Sequence, residues 1–274
     1  MKQPILTNAT EVELATAVSQ NLHALFRAMR VLPGYEVVEG DRFSYHHAPL
    51  TNPFFRGVWR TRLTPAEIDL AIDEAIAWFA QRNAPDFYWW TDLQTEPANL
   101  AQRLLQRGFD GNEIGEPGMV ADLHALKEDG RPPDGFTIVP VVTQQTLADW
   151  RDVFTAAFEM PTAGGQAWVE ATLEAGLENA PWKLYIGYLA DQPVATGMLF
   201  NGAGVVGVYS IGVLSAARRQ GIGTAITLQP LLAARQQGYH YAVLFSSRMA
   251  HSVYHQVGFR EVAGKIGIYV LEDD

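Results

Sequence analysis

The feature that most constrains the fold of this chain is a strand that leads through a short loop directly into a helix. Val205–Leu214 is rich in β-branched residues and predicts a strand, and the helix predicted for Gly221–Gln237 begins only a few residues later. Other strands and helices alternate along the chain, and some consecutive strands are close enough in sequence to form hairpins. The sequence therefore predicts an α+β fold in which helices flank a mixed central sheet.

The loop between this strand and this helix has the composition of an anion-binding site. It contains Arg218, Arg219, Gly221 and Gly223. A helix start exposes unpaired N–H groups and the positive end of the helix dipole, and glycine lets a backbone approach an anion closely. The arginines add charge and forked donors. Together these features predict a cradle for a pyrophosphate group.

Two common pyrophosphate-binding motifs fit this sequence less well. The P-loop pattern needs a lysine after its second glycine, and Gly223 is followed by Thr224 instead. The dinucleotide fingerprint G-x-G-x-x-G occurs at residues 202–207, but strand-like sequence follows it rather than a helix, so we interpret it as a hairpin turn. A nucleotide-binding oxidoreductase or kinase is therefore a disfavoured function.

A charged segment that is rich in proline and glycine, residues 127–135, divides the chain, because it cannot continue a strand or a helix. We predict a linker there, between an N-terminal domain of residues 1–126 and a C-terminal domain of residues 136–274. In the N-terminal domain, the sequence predicts a helix at Glu11–Arg30 and a second helix opened by the capping sequence Thr64-Pro-Ala-Glu67.

The two domains end alike. A strand at Asp86–Thr91 and a helix at Glu96–Arg107 precede Gly108-Phe109, just as Tyr241–Phe245 and a helix at Met249–Val257 precede Gly258-Phe259. A hairpin is predicted after each Gly-Phe pair, with its two strands at Phe259–Ala263 and Ile266–Leu271 in the second case. This parallel predicts an internal duplication.

The glycine loop resembles a known family motif. Residues 218–223, Arg-Arg-Gln-Gly-Ile-Gly, are similar to the acetyl-CoA motif Arg/Gln-x-x-Gly-x-Gly/Ala of the GNAT superfamily of N-acetyltransferases, although Ser215 stands where that family often has proline. A second motif of the family is matched by Ala250, Tyr254 and Gly258-Phe259. The resemblance covers residues 136–271 and implies tandem GNAT-like domains, of which the N-terminal copy is degenerate.

The resemblance also implies roles for individual residues. Acetyl-CoA would be the co-substrate, a primary amine the acceptor, and Tyr254 would protonate the departing thiolate. A backbone N–H near Val213 would stabilise the oxyanion of the reacting carbonyl. The residues implied to bind the pantetheine arm and the pyrophosphate of the cofactor are Ile211, Gly212, Val213, Arg218, Arg219, Gln220, Gly221, Ile222, Gly223, Thr224 and Ser247.

Direct attack by an amine on a thioester requires a base, because an alkylamine is protonated at neutral pH. We expect Glu159 to be that base, since the loop of residues 160–165 beside it has the glycines of a flexible lid; Glu170 and Glu174 are alternatives. The N-terminal domain has the acidic Thr64–Glu67 cap in place of a cradle and Leu104 in place of Tyr254, so we expect it to shape the acceptor pocket without binding CoA.

Composition narrows the range of partners. The 274 residues carry a formal net charge of -10, which disfavours nucleic acid and anionic membranes as partners, and the chain has no cysteine for a thiolate or a disulfide. His251 and His255 are spaced to share a metal, but the sequence offers no evident third ligand, so no metal is predicted. We expect a cytoplasmic monomer or homodimer that acetylates a small-molecule or peptide amine. The alternative function is a non-catalytic CoA-binding sensor or scaffold.

Overall fold

The computed structural model describes residues 4–112 and 114–271. The helices are α1 Glu11–Ala28, α2 Ile68–Ala80, α3 Leu100–Gln106, α4 Gln144–Ala157, α5 Thr162–Ala175, α6 Ile222–Gln236 and α7 His251–Val257. The strands are β1 Glu36–Glu39, β2 Ser44–His47, β3 Arg56–Trp59, β4 Phe87–Thr91, β5 Asp110–Gly111, β6 Glu116–Asp122, β7 Phe136–Pro140, β8 Trp182–Leu189, β9 Gln192–Gly202, β10 Val205–Val213, β11 Tyr241–Phe245 and β12 Arg260–Leu271. The structure confirms the predicted mixed α and β fold.

One mixed sheet of 12 strands runs through the described part of the chain. Its order is β1-β2-β3-β4-β12-β6-β11-β10-β9-β8-β7, and β5 pairs with β12 beside this path. The β3–β4 and β10–β11 pairs are parallel, and the other pairs are antiparallel. Because every pairing between β4 and β11 is antiparallel, these two strands run in opposite directions. Loops that follow corresponding strands of the two halves therefore lie at opposite ends of the strands.

The end strands of the two halves are exchanged. Strand β6 belongs to the first half in sequence but lies between β11 and β12. Strand β12 is the last strand of the second half, and its final residues pair with β4 and β5 of the first half. The sheet thus crosses the predicted linker, whose role as a domain boundary stays a prediction.

The hairpins predicted after the two Gly-Phe pairs do not form. After Phe109 the two predicted strands are present as β5 and β6, but each pairs with β12. Residues Arg260–Leu271 form one continuous strand instead of two strands joined by a turn. Gly264, with φ of +98°, lies where the register shifts between Glu261 and Lys265, and this irregularity absorbs the local turn signal without reversing the chain. Because β12 pairs first with β6 and then with β4, a single long strand joins both halves.

The repeated helix ends are confirmed. Gly108 and Gly258 both have left-handed backbones, with φ of +88° and +115°, and both follow the short helices α3 and α7. Helix α3 starts later than predicted, at Leu100, because Pro97 and the turn around it precede the first helical hydrogen bonds. Helix α6 continues through Pro230, although a proline inside a helix usually kinks or ends it.

Helix α1 connects the two halves by packing on the shared sheet. It contacts β6, β9, β10, β11 and β12. Leu14, Val18, Leu22 and Phe26 lie in one buried cluster with residues of both halves, among them Trp59 and Val205. The Thr10–Glu13 capping box fixes its first turn. A helix of the first half therefore covers one face of the sheet next to the predicted site.

Candidate functional site

The predicted site lies where β10 and β11 separate. Their parallel ladder consists of the pairs Val206–Ala242 and Gly207–Val243. Beyond it β10 is bulged between Tyr209 and Gly212. Across the gap the rings of Tyr209 and Phe245 are 6.1 Å apart. An opening between two parallel strands gives a long, thin substrate a path through the sheet with backbone groups on both sides.

The loop that leaves β10 forms the cradle that the sequence predicts. Gly221 has φ of +79° and caps the N-terminus of α6, and the first helical hydrogen bond runs from the Ala225 N–H to its carbonyl, at 3.0 Å. The N–H groups of residues 222–224 precede that bond and are free to meet an anion. A Cβ built on Gly223 makes only ordinary contacts, 3.5 Å from Val253. The two glycines therefore place no side chain over the helix start.

The side chains of the cradle loop divide into two groups. Arg218 is half-buried, and its Nε donates to the Val213 carbonyl at 3.0 Å, so its guanidinium braces the loop against β10. Arg219 and Gln220 are exposed. Thr224 is buried and donates to Gln256 of α7 at 3.2 Å. Only Arg219 and Gln220 of these four project freely into solvent, whereas Arg218 and Thr224 position the backbone.

Four further predicted cofactor residues lie on the rim of the opening. Gly212 is buried, and a Cβ there would come within 3.0 Å of both Ala157 and Phe158 at the end of α4. Ser247 is exposed just beyond the end of β11. Ile211 and Val213 are half-buried neighbours of Gly212 on β10. The structure therefore brings the predicted residues of β10, the cradle loop and the end of β11 around one opening.

Tyr254 has a buried ring and an available hydroxyl. The side chain is 7% exposed and packs in a cluster with Phe259 and Leu244. Its hydroxyl makes no hydrogen bond to the residues that the structure describes. Burial, and then the charge of Glu116, raise the pKa of Tyr254 well above its usual value. The phenol therefore keeps its proton at neutral pH and can donate it.

Glu159 lies at the outer rim of this region. It is exposed, with φ of +53°, between α4 and α5. The flexible loop expected at residues 160–165 is wrong, because α5 begins at Thr162 and includes Gly164 and Gly165 in its first turn. The adjacent Phe158 ring contacts Gly212, so this bend is next to the opening. An exposed carboxylate there presents negative charge to an approaching ammonium. Its role as the base stays a prediction.

Residues of the first half also form hydrogen bonds to this region. Asn52 Nδ2 donates to the Gly164 carbonyl at 3.1 Å, and Thr51 Oγ1 donates to the Ala163 carbonyl at 3.0 Å. On α1, Asn21 accepts a hydrogen bond of 2.7 Å from the Tyr209 hydroxyl. Sequence reasoning missed these residues, because each meets a partner more than a hundred positions away and no local pattern marks it.

The comparison with family models decides the family of the second half. Residues 147–259 match the model of the acetyltransferase (GNAT) family. These residues form a GNAT domain. The match contains the cradle loop, Tyr254 and the opening between β10 and β11. No curated protein matches the chain.

Solved structures share the fold over almost the whole chain. A GCN5-related N-acetyltransferase from Kribbella flavida is 18% identical, with a TM-score of 0.70, over 97% of this chain and 98% of that one. A GCN5-related N-acetyltransferase from Sphaerobacter thermophilus is 17% identical, with a TM-score of 0.60, over 96% and 94%. A tandem GNAT protein from the clavulanic acid biosynthesis pathway is 12% identical, with a TM-score of 0.57, over 97% and 96%. At these identities the likeness concerns the fold alone.

The helix start at Thr64–Glu67, which the sequence predicts to be the counterpart of the cradle, is closed by its own side chains. The Glu67 carboxylate accepts from the Thr64 N–H at 2.8 Å and from the Thr64 hydroxyl at 2.7 Å. These two hydrogen bonds lower the pKa of Glu67, so a negative charge occupies the place that a phosphate would take. Leu104, at the position of Tyr254, is fully buried.

Two other features lie outside the opening. His251 and His255 on α7 lie close to Glu261 on β12, and the possible ligand atoms of the three residues lie within 4.8 Å of one another. Glu261 is a third possible metal ligand that the sequence did not reveal. The His251 ring and the Glu261 carboxylate already contact each other at 2.7 Å on the surface. Within the described part of the chain, no helix has both the length and the apolar character to span a bilayer.

Proposed function

We propose that the protein is an N-acetyltransferase that transfers the acetyl group of acetyl-CoA to a primary amine by direct attack on the thioester. The observation that carries this proposal is the cradle in the GNAT domain, in which Gly221 turns the chain into α6 directly beside the opening between β10 and β11. This arrangement puts an anion-binding helix start and a path through the sheet next to each other.

The residues fit a CoA pyrophosphate. The N–H groups of residues 222–224 would bind it, and Gly223 leaves room for a close approach that a large or negatively charged side chain would prevent. Backbone groups of Ile211, Gly212 and Val213 would meet the pantetheine arm along β10 in the manner of an added strand, with Ser247 on the opposite rim. Arg219 and Gln220 are free to contact the phosphates.

Direct attack on the thioester needs no covalent bond between the protein and the acetyl group. Holding both substrates at one opening provides much of the acceleration. Tyr254 would donate a proton to the leaving thiolate, and an N–H near Val213 would stabilise the oxyanion that develops on the carbonyl. Glu159 at the rim stays our sequence-based proposal for the carboxylate on the acceptor side. A thiol is a fair leaving group, so we expect the contribution of Tyr254 to be modest.

The first half supports the acceptor side in this proposal. Its residues 51 and 52 hold the start of α5, and its α1 holds Tyr209 at the mouth of the opening. The closed cap at Thr64–Glu67 argues against a second CoA site. The acceptor would therefore be a small-molecule or peptide amine that enters between the two halves. The monomer or homodimer state and a cytoplasmic location stay predictions.

The experiment that tests this function follows thiol release from acetyl-CoA in the presence of a panel of polyamines, amino sugars, amino acids and peptides. We expect one chemical class of amine to release CoA and to gain an acetyl group that mass spectrometry detects. Binding of acetyl-CoA without thiol release across the panel would favour the CoA-binding sensor instead. No binding at all would reject both functions.

A further inference from the structure

We propose that Glu116, a residue of the first half in sequence, is the general base of the second half. This inference rests on the acetyl transfer proposed above. In this proposal Glu116 accepts the proton, and the exchange of strands places its carboxylate at the site. Glu159 at the rim then attracts the cationic amine.

The ladder between β6 and β11 fixes the position of Glu116. Gly118 pairs with Phe245, the last residue of β11, and the Ser246 N–H donates to the Pro117 carbonyl at 3.0 Å. Glu116 is the next residue outward, so it lies just past the end of β11, beside the opening. Without the exchange, this residue would belong to the other half of the sheet.

The register also fixes the face on which Glu116 lies. Side chains alternate along a strand, so residues 116 and 118 share a face. A Cβ on Gly118 would be 3.3 Å from Val18 of α1, and Ile266, the partner of Glu116 on β12, lies in the same cluster as Val18. Glu116 is therefore on the α1 face, as are Tyr209 and Phe245, whereas Tyr254 packs on the opposite face. The two groups flank the opening from its two sides.

The carboxylate has no structural partner that would explain its burial. Glu116 is half-buried, and no hydrogen bond or ion pair joins its side chain to the described residues. On α1, Ala15, Val18 and Ser19 lie against the neighbouring Gly118 and Ile266. One turn further along α1, His23 contacts Asp92 at 3.0 Å, and both side chains are buried. Lys265 on β12 is exposed and pairs with Pro117. Helix α7 carries the titratable residues His251, Tyr254 and His255, and the charge of Glu116 raises the pKa of Tyr254. A desolvated carboxylate without compensation is costly, and such groups cluster at functional sites.

Burial raises the pKa of Glu116, and no basic group opposes that shift. A carboxylate with a raised pKa is a better proton acceptor for an ammonium ion. The charge of Glu116 also raises the pKa of Tyr254 and thus helps to keep the phenol protonated. Glu116 is therefore ready to accept a proton while Tyr254 holds one, as the base and the acid of one reaction require.

The proposed step balances as follows. The Glu116 carboxylate takes one proton from the acceptor ammonium, and the freed nitrogen lone pair forms the N–C bond to the acetyl carbonyl. The second nitrogen proton leaves to solvent as the amide forms. The C–S bond breaks, and the sulfur takes the electron pair and the Tyr254 proton. Glu116 then returns its proton to the tyrosinate through water, so both groups recover their starting states.

The test compares Glu116→Gln with the wild type, with Glu159→Gln and with Asp122→Asn, a control on the same strand whose side chain is exposed. The amine is the best acceptor from the panel above, and kcat/KM is measured as a function of pH. We expect Glu116→Gln to lose about 10²- to 10³-fold and to lose the rise of the profile that reports deprotonation of the base. Asp122→Asn should keep the wild-type profile.

Two further readouts separate catalysis from structure. Glu116→Gln should bind acetyl-CoA as tightly as the wild type in calorimetry, and its melting temperature should be unchanged or higher, because an uncompensated carboxylate has been removed. Hydroxylamine, which is neutral at pH 7, should be acetylated equally by both proteins, because it needs no base.

The outcomes are distinct. Full activity of Glu116→Gln, or a loss confined to Glu159→Gln, would overturn the assignment of Glu116 and leave the acetyltransferase function intact. A lower melting temperature together with weaker acetyl-CoA binding would show a structural residue and would also overturn it. If the wild type acetylates no amine, the proposed function fails and this inference fails with it.

Discussion

At the scale of single residues, the two glycines of the cradle loop meet different demands. Gly221 needs its left-handed backbone, and a Cβ there would lie 3.0 Å from the Arg131 carbonyl of the predicted linker. Gly223 has a helical backbone, and a Cβ there would make only ordinary contacts with Val253 and Val213, the nearest at 3.5 Å. Gly221 therefore serves the turn, and Gly223 serves the approach of the ligand.

This difference predicts opposite effects of alanine on stability. Gly221→Ala should lower the free energy of unfolding by about 1–2 kcal/mol, the cost of a left-handed backbone at a residue with a Cβ. Gly223→Ala should leave it unchanged or raise it by up to about 1 kcal/mol, because alanine favours a helix over glycine. Urea unfolding of both variants measures the two values. Equal losses in the two variants would contradict this account of the loop.

Tyr254 supports a prediction about turnover. Tyr254→Phe removes the proton donor but keeps the buried ring, so the fold and the affinity for acetyl-CoA should stay the same. We expect kcat to fall by about 10²-fold, the lower end of the range for a general acid, because a thiolate leaves readily. Steady-state kinetics and calorimetry on one preparation measure both quantities. An unchanged kcat would remove Tyr254 from the mechanism.

The residues of the site differ in how well sequence could find them. The cradle glycines and Tyr254 belong to patterns within one loop and one helix, so local spacing revealed them. Asn52 and Asn21 act across more than a hundred positions, and Glu116 reaches the opening only because β6 inserts next to β11. Local sequence carries no information about such long-range pairings, which depend on how the whole sheet assembles.

At the scale of elements, helix α1 holds the two halves together by polar contacts as well as by packing. The Asn21 amide donates to the Gly202 carbonyl at 2.8 Å and to the Phe200 carbonyl at 3.3 Å, and its oxygen accepts from Tyr209. The side chain is fully buried. One amide thus connects a helix of the first half to both strands of the β9–β10 hairpin.

Replacement of this amide tests the connection. Asn21→Ala leaves buried carbonyls and the Tyr209 hydroxyl without partners, so we expect a loss of about 1–3 kcal/mol in the free energy of unfolding. Gln20→Ala, at the exposed neighbouring position, is the control and should change stability by less than about 0.5 kcal/mol. Chemical denaturation of the two variants measures the contrast. A similar effect of both changes would mean that α1 is held by apolar contacts alone.

The sequence predicts which segments form strands and helices better than it predicts which strands pair with each other. Strand Tyr241–Phe245 and helix α6 agree with the sequence to within a residue or two, because their apolar patterns are strong. The single strand β12 was predicted as a hairpin, because Gly264 gives a turn signal that the partner strands override. Pairing with β6 and β4 rather than local propensity decides the conformation of this segment.

At the scale of the whole molecule, exchange of β6 and β12 makes the two halves interdependent. If β6 were removed, β11 would become an open edge and the buried Met119, Val120 and Ala121 would leave the core of the second half. Removal of β12 would do the same to β4. The two halves therefore share one core, although the sequence reads as two similar units.

This sharing predicts one cooperative unfolding transition. Trp59, Trp78, Trp89 and Trp90 report on the first half and Trp150, Trp168 and Trp182 on the second. In urea, tryptophan fluorescence and far-ultraviolet circular dichroism should give coincident transitions. Residues 136–274 expressed alone should not fold. Two separated transitions, or a soluble folded fragment, would show that the halves are independent.

The central claim is that the GNAT domain binds acetyl-CoA through the start of α6, and calorimetric titration of acetyl-CoA tests it most directly. The proteins are the wild type, Gly223→Asp and the uncharged control Gly223→Ser. An aspartate in the first turn of a helix favours the fold, so a loss of binding would not reflect unfolding. We predict micromolar binding by the wild type, an affinity within a few-fold for the serine variant, and roughly 100-fold weaker binding for the aspartate variant through repulsion of the pyrophosphate. No binding by the wild type, or equal binding by the aspartate and serine variants, would contradict the account.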